Sequence, residues 1–243
     1  MRCSSSDSIS GTRLEAAAVI VAGGSGSRMG SAVPKQFMPL DGIPVLARTV
    51  GRFARSGLFR QTVIVLPQRQ IGLWQEIQDQ YLPTEDIMTV PGGDTRSESV
   101  WNGLQAIKGA QGLIVAIHDG VRPLVNTAFL QGCLDQARQY GNAIPCLQPE
   151  ESFRYLLDED GNNGGSKSID RQKVRSIQTP QCFEFQQIKL AFTRQGDRTF
   201  TDEASLMEKA GFAVHLCQGI PQNIKITRPF DLDLAGFLLQ KGF

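Results

Sequence analysis

The sequence predicts an α/β fold: a mostly parallel sheet with helices on both faces. Three observations predict it. Short, largely apolar runs recur at residues 16–22, 62–66, 87–90, 113–117 and 143–147, the first of them unbroken, the pattern of strands buried on both faces. Between them lie segments with apolar residues every three or four positions, which marks helices packed on a core. This βαβα order implies a parallel sheet. Finally, the turns richest in glycine and charge, residues 23–35, 92–96 and 118–123, each follow a strand. Open sheets bind ligands outside the carboxyl ends of their strands, so the three turns converge on one edge.

The elements follow in order. Residues 1–14 are serine-rich and read as a disordered tail, ahead of a single domain over 15–243. A glycine loop follows the first strand. Residues 44–56 then form a helix, with Pro44 suited to its first turn. Pro67 closes the strand over 62–66. Residues 69–81 are helical, with Trp74 and Ile77 on one face. The strand over 87–90 leads into the turn Pro91-Gly92-Gly93-Asp94 and a helix over 96–108. After the strand over 113–117, Asn126 caps a helix that Gly141 stops. The pattern breaks at residues 150–178, which alternate imperfectly and carry the turn Asp160-Gly161-Asn162-Asn163-Gly164-Gly165. They read as a β-hairpin arm leaving the sheet. A lone two-stranded arm is barely stable in water, so it is expected to pack on a partner subunit; a disordered insertion is the alternative. Residues 179–181 re-enter the domain. Helices over 185–194 and from Thr201-Asp202-Glu203 to Gly211 follow, then strands over 213–217 and 224–227. A helix over 229–240, with Pro229 in its first turn, closes the chain. Trp74, Trp101 and the phenylalanines read as core.

Composition bounds the function. The 25 basic and 24 acidic residues leave a net charge of +1, which argues against nucleic acid or an anionic membrane as the main partner. No apolar run reaches the ~20 residues of a membrane span. The five cysteines are scattered without a C-x-x-C, which suggests reduced thiols in a cytoplasmic protein. With two histidines, neither at ligand spacing from a cysteine, a zinc site is disfavoured.

The first loop carries the sharpest motif. Gly23, Gly24 and Gly26 are followed by Arg28, Gly30 and Pro34-Lys35. Glycines bring bare backbone N–H groups close to a ligand, and Arg28 and Lys35 add two positive charges. The loop reads as a polyphosphate cradle. It is not a P-loop, since no lysine follows Gly30. It is not the dinucleotide fingerprint either, since Met29 stands where the third glycine belongs.

Taken with AGGSGSRMG and PKQF, the later blocks PGGDTRSESV, HDGVRP, TPQCF, FTDEAS and NIKITRPFDL complete a specific series. From about Ala18 to Ala235 the chain resembles the 2-C-methyl-D-erythritol 4-phosphate cytidylyltransferases of the non-mevalonate isoprenoid pathway. The ribitol-5-phosphate cytidylyltransferases share nearly the same series. The resemblance implies a Rossmann-like, GT-A-like nucleotidyltransferase fold and transfer of CMP from CTP to a sugar-alcohol phosphate. It implies that Arg28 and Lys35 stabilise charge on the CTP phosphates, and that Ala22, Gly23, Gly24 and Gly26 line the nucleotide. It implies that Gly93, Asp94 and Ser99 hold the cytosine, and that Asp119 lies near the α-phosphate and a Mg²⁺ cofactor. Arg171 and Lys225 then position the incoming phosphate, Thr179 and Thr201 line that substrate, and the arm carries Arg171 into the neighbouring subunit of a homodimer. Three places depart from the common family pattern: Gly23, often alanine; Gly120-Val121, often Ala-Ala; and Glu151-Ser152, often Asp-Thr.

Such chemistry needs no general base. A phosphate monoester, with a second pKa near ~6, is already a good oxyanion at neutral pH. The site must instead hold two polyanions together and neutralise charge at the α-phosphorus. Arg28 offers a guanidinium fork, while Lys35 and Lys225 act as point charges. Simpler roles exist for each residue. Asp119 can pair with Arg122, Asp94 can serve only the turn, and Lys225 can be an exposed strand lysine. Asp202 suits a helix start, and His118 reads as a packed residue. A nucleotide-binding sensor without chemistry is the alternative of another class.

Overall fold

Residues 16–24, 33–109, 111–157, 165–196 and 200–243 are described by the computed structural model of the chain. Strands β1 (Ala16–Val21), β4 (Gln61–Leu66), β5 (Ile87–Pro91) and β6 (Ile114–Asp119) form the parallel heart of the main sheet. Alternate residues of β1 go to opposite faces. Ala16, Ala18 and Ile20 join one apolar cluster, while Ala17, Val19 and Val21 join the other. Complete burial of Val19 and Ile20 contributes about 1.5–3 kcal/mol each. This double burial is why the run carries no polar alternation.

Helices α1 (Val45–Ala54), α2 (Ile71–Tyr81) and α4 (Thr127–Tyr140) supply residues to the first cluster. Helices α3 (Arg96–Ala106), α5 (Phe185–Arg194) and α6 (Glu203–Lys209) supply the second. The sequence signals act as expected at several ends. The Asn126 side chain accepts from Phe129 N–H, and Gly141 takes φ 85° after α4. Thr95 and Glu98 form a reciprocal capping box at α3. Pro229 opens α7 (Pro229–Gln240).

Beyond β6 the sheet becomes mixed. Its order is β10-β7-β11-β6-β1-β4-β5, where β7 is Asn142–Leu147, β10 is Ser176–Ile177 and β11 is Gln181–Glu184. Strand β11 runs antiparallel between β6 and β7. Four residues, Gln181-Cys182-Phe183-Glu184, carry too little pattern to announce a strand, so its insertion between two others is a tertiary outcome. A short hairpin with two residues in each strand, β2 (Pro39–Leu40) with β3 (Ile43–Pro44), is a further element that the apolar pattern does not announce. It has a local signal all the same: Asp41-Gly42 at φ 50° and 76° is a favoured turn pair.

The arm forms as an antiparallel pair, β8 (Phe153–Leu156) with β9 (Ser166–Ile169). Most of its expected turn, like the expected tail, lies outside the described residues. Two expected strands change. The one expected over 213–217 is β12 (Leu216–Gln218), because the Asn142 side chain engages Ala213 C=O and His215 N–H first. The one expected over 224–227 is not a strand. Ile226 N–H reaches Val121 C=O at 2.9 Å, but the facing segment turns away through Arg122 N–H to Asp119 C=O, so no ladder continues. The phenylalanines are also not all core: Phe230 and Phe237 are exposed. Among the described residues, no helix is long and apolar enough to cross a membrane.

Candidate active site

Three loops start side by side where the parallel strands end. Ala22 N–H donates to Val65 C=O, Gly92 N–H to Leu66 C=O, and Gly120 N–H to Val21 C=O. They enclose a cavity of about 250 Å³. Ala22, Gly23, Gly24, Lys35, Gly93, Asp94, Ser99, Asp119 and Lys225 all line it, so nine residues singled out from four separate stretches share one space. Arg28 and Gly26 lie outside the described residues. Gln36 ties the far side of the first loop back to the strand, donating to Ala22 C=O and to Gln70 Oε1.

The Gly92-Gly93 turn has a steric cause. A Cβ on Gly92 would meet Ser99 Oγ at 2.7 Å, and one on Gly93 would collide with the Glu98 side chain. Ser99 Oγ accepts from Gly93 N–H and donates to Thr95 C=O. On the other side of α3, a Cβ on Gly103 would lie 2.5 Å from Val19 Cγ1, so this glycine lets the helix approach the sheet and brings its first turn to the cavity.

Asp119 is the electrostatic centre. Its Oδ2 lies 3.0 Å from Lys225 Nζ and 3.2 Å from Arg122 Nε, and its Oδ1 lies 3.6 Å from Arg96. Burial alone would raise its pKa, but Arg96, Lys225 and Arg122, in that order, hold the carboxyl far below the usual range. The pairing with Arg122 therefore exists, alongside two further cations. Lys225 is held by Asp119 and is no idle surface lysine.

Arg96 and Glu203 escaped the sequence reading as site residues. Glu203 is only 1% exposed and receives both outer nitrogens of Arg96, at 2.6 and 3.0 Å. A signal existed: an arginine at the first position of a helix opposes the macrodipole, so it calls for a tertiary partner. Asp202 fulfils its simpler role, accepting from Ser205 N–H at the start of α6.

Thr179 sits behind the cavity, and its Oγ1 accepts from Asp119 N–H. His118 Nε2 faces Arg122 C=O, which can only accept, so the ring proton is on Nε2. Nδ1 then accepts from the Thr179 hydroxyl. Complete burial pushes this imidazole down to about 4. Above the ordinary value of 6.5, folded and unfolded chains are both neutral here. Between 6.5 and 4 only the unfolded chain takes the proton, so stability falls by about 3 kcal/mol across that window. Urea unfolding at pH 7.5 and 4.5 is expected to show this loss, and His118→Gln to flatten it; an unchanged slope in that variant would place the effect elsewhere.

Packing accounts for one departure from the family pattern, Gly120, and leaves Gly23 without a steric requirement. A Cβ on Gly23 would meet only Ser99 Oγ, at 3.9 Å, whereas one on Gly120 would press on Leu46 Cδ1 at 2.8 Å and Ala22 Cβ at 3.0 Å. Gly23→Ala is therefore expected to be neutral, and Gly120→Ala to destabilise by about 1–3 kcal/mol in urea unfolding, through overpacking. Two residues lie away from the cavity in the single chain. Arg171 is exposed and donates to Glu150 C=O beside a shallow groove, and Thr201 is exposed.

Comparison with known proteins gives the geometry a family. The family model for 2-C-methyl-D-erythritol 4-phosphate cytidylyltransferase matches residues 16–241. The protein of that name from Bacteroides thetaiotaomicron is 40% identical over 221 residues, covering 91% of this chain and 98% of its own. That from Porphyromonas gingivalis is 41% identical over 223 residues, covering 91% and 96%. Among solved structures, the 4-diphosphocytidyl-2C-methyl-D-erythritol synthase of Anaerococcus prevotii superposes with a TM-score of 0.78 at 26% identity, covering 94% of this chain and 97% of its own. The cytidylyltransferase of Thermus thermophilus gives 0.73 at 27%, covering 93% and 99%. With a cavity built from the same blocks that carry the likeness, the chain belongs to the 2-C-methyl-D-erythritol 4-phosphate cytidylyltransferase family.

Proposed function

We propose that this protein transfers CMP from CTP to 2-C-methyl-D-erythritol 4-phosphate, releasing pyrophosphate, in isoprenoid precursor synthesis. The observation that carries this reading is the single cavity joining a glycine-lined strand end, Lys35 and the Asp119–Lys225–Arg96 cluster. The backbone at Ala22–Gly24 and the Lys35 ammonium receive the triphosphate, with Arg28 from the same loop. Gly93, Asp94 and Ser99 hold the base. Lys225 faces the cavity beside Asp119 and orients the attacking phosphate oxygen toward the α-phosphorus. The P–O bond to pyrophosphate breaks as the new P–O bond forms, with no proton to remove from the nucleophile. Positioning and charge neutralisation supply the rate enhancement.

The residues fit a Mg²⁺ ion. Asp119 Oδ1 stands 3.6 Å from Arg96, outside hydrogen-bond range. Among the described residues, no group of three or more carboxylate, histidine or cysteine side chains is placed to hold a metal. An ion there would draw its other ligands from phosphate oxygens and water, the ordinary habit of Mg²⁺. Bound, it would neutralise charge on the phosphates.

A homodimer completes this reading. The arm exposes Phe153, Tyr155, Leu156 and Leu157, and packing it on a second copy would bring Arg171 to the neighbour's cavity. The chemistry suits the cytoplasm, where the thiols stay reduced. The test is pyrophosphate release from CTP, and separately UTP, with methylerythritol phosphate against ribitol 5-phosphate. Turnover is expected with CTP and methylerythritol phosphate; its absence would overturn the reading. Arg171→Ala is expected to raise KM for the sugar-alcohol phosphate at least tenfold while CTP binding, followed by calorimetry, is retained. Lost CTP binding would contradict its placement.

A further inference from the structure

Arg96 stands between two carboxylates and serves them unequally. Glu203 takes both of its outer nitrogens, at 2.6 and 3.0 Å, while Asp119 Oδ1 stays 3.6 Å away. The backbone that carries Glu203 is anchored. Glu203 is buried in the first turn of α6, and the neighbouring Ala204 N–H is held by Gln181 Oε1 on the sheet. Asp202, on its other side, receives Gln181 Nε2. The two other cations at Asp119 both sit on Oδ2. Oδ1 is thus the less engaged oxygen, and among the described residues Arg96 is the cation paired with it and placed to close it. From 3.6 Å, a shift to the ~2.8 Å of a charged hydrogen bond would do so.

We propose that Glu203 is a positioning residue: by gripping the Arg96 fork it holds the guanidinium off Asp119 and keeps Oδ1 open to a divalent cation arriving with the nucleotide. This rests on the reading of Asp119 as the metal-binding carboxylate. Removing the grip lets Arg96 settle on Oδ1 and compete with the cation. Partners that orient a metal-binding group are worth about 10–100-fold in metal affinity.

The test uses Mn²⁺ in place of Mg²⁺, with saturating CTP and no acceptor. Water-proton relaxation enhancement separates protein-bound Mn²⁺ from Mn²⁺ held by free CTP. Glu203→Gln is expected to weaken Mn²⁺ binding about tenfold or more. The double variant Glu203→Gln/Arg96→Met, which also removes the competing guanidinium, is expected to return to within about threefold of wild type, as coupled neighbours do. A merely structural glutamate would leave the double variant as weak as the single one. Wild-type affinity in Glu203→Gln overturns the inference, as does failure of the double variant to recover. If Glu203→Gln does not fold, Glu203→Asp, whose shorter side chain loses the two-point grip, takes its place with the same expected loss and the same recovery when Arg96→Met is added. No enhancement in the wild-type protein would overturn the metal role of Asp119 and this inference together. Pyrophosphate release would still judge the proposed reaction separately.

Discussion

Replacing Lys35 with alanine is expected to lower turnover by about 10²–10³-fold, the usual cost of deleting one preorganised group that stabilises developing charge. On the proposed mechanism the loss belongs in kcat, because the charge that Lys35 would meet grows as pyrophosphate leaves. The fold is expected to survive. Lys35 is half-buried at the start of a single 3₁₀ turn, whose anchoring falls to the buried Gln36 and Phe37. Its stem passes over Gly24, 3.7 Å from where a Cβ would stand, so truncation opens space on the solvent side rather than in the core. Pyrophosphate release measures the first effect. Urea unfolding, with a midpoint shift worth no more than about 0.5 kcal/mol, measures the second. Wild-type turnover would remove Lys35 from the mechanism. Arg28→Ala is expected to behave alike.

Asp119→Asn is expected to be costly twice over. The carboxylate is the shared partner of Arg96, Arg122 and Lys225, and removing one member of a buried ion pair costs about 3–5 kcal/mol. Arg122, whose side chain is 11% exposed, carries most of that penalty; Lys225, at 42%, is screened by water and adds less. Arg96 keeps Glu203. The effect has a pH signature. The folded-state pKa of Asp119 is depressed, so its stabilisation is complete above the ordinary carboxylate range and is lost as pH falls below it. Urea unfolding of wild type and variant is expected to differ most near neutrality and to converge in acid. Turnover is expected to fall at least 10²-fold at neutral pH. A variant as stable and active as wild type would deny Asp119 both roles.

Much of this site is legible in the residues alone. Glycines at strand ends and isolated cations have few structural uses, so Gly23, Gly24, Lys35, Gly93 and Asp119 read as one constellation. Helix ends are equally legible, because Asn126, Thr95, Gly141 and Pro229 act on their own backbone neighbours. Arg96 and Glu203 are not, since they lie far apart in sequence and their pairing is decided by where α6 lands against α3. Strand β11 is hidden for the same reason: four residues cannot announce that they will insert between strands from elsewhere in the chain.

Local events follow from the order of residues: which runs are buried on both faces, where helices start and stop, and which loop is glycine-bare and cationic. These depend on interactions within a few residues, whose chemistry is visible in order. The charge arrangement around Asp119 arises only as the chain packs. Three cations and a second buried carboxylate come from four separate stretches of chain, and their distances depend on how α3, α6 and the segment bearing Lys225 close over the sheet edge. That closure set Glu203 on Arg96 and Asp119 at the wall of the cavity that the first loop had announced.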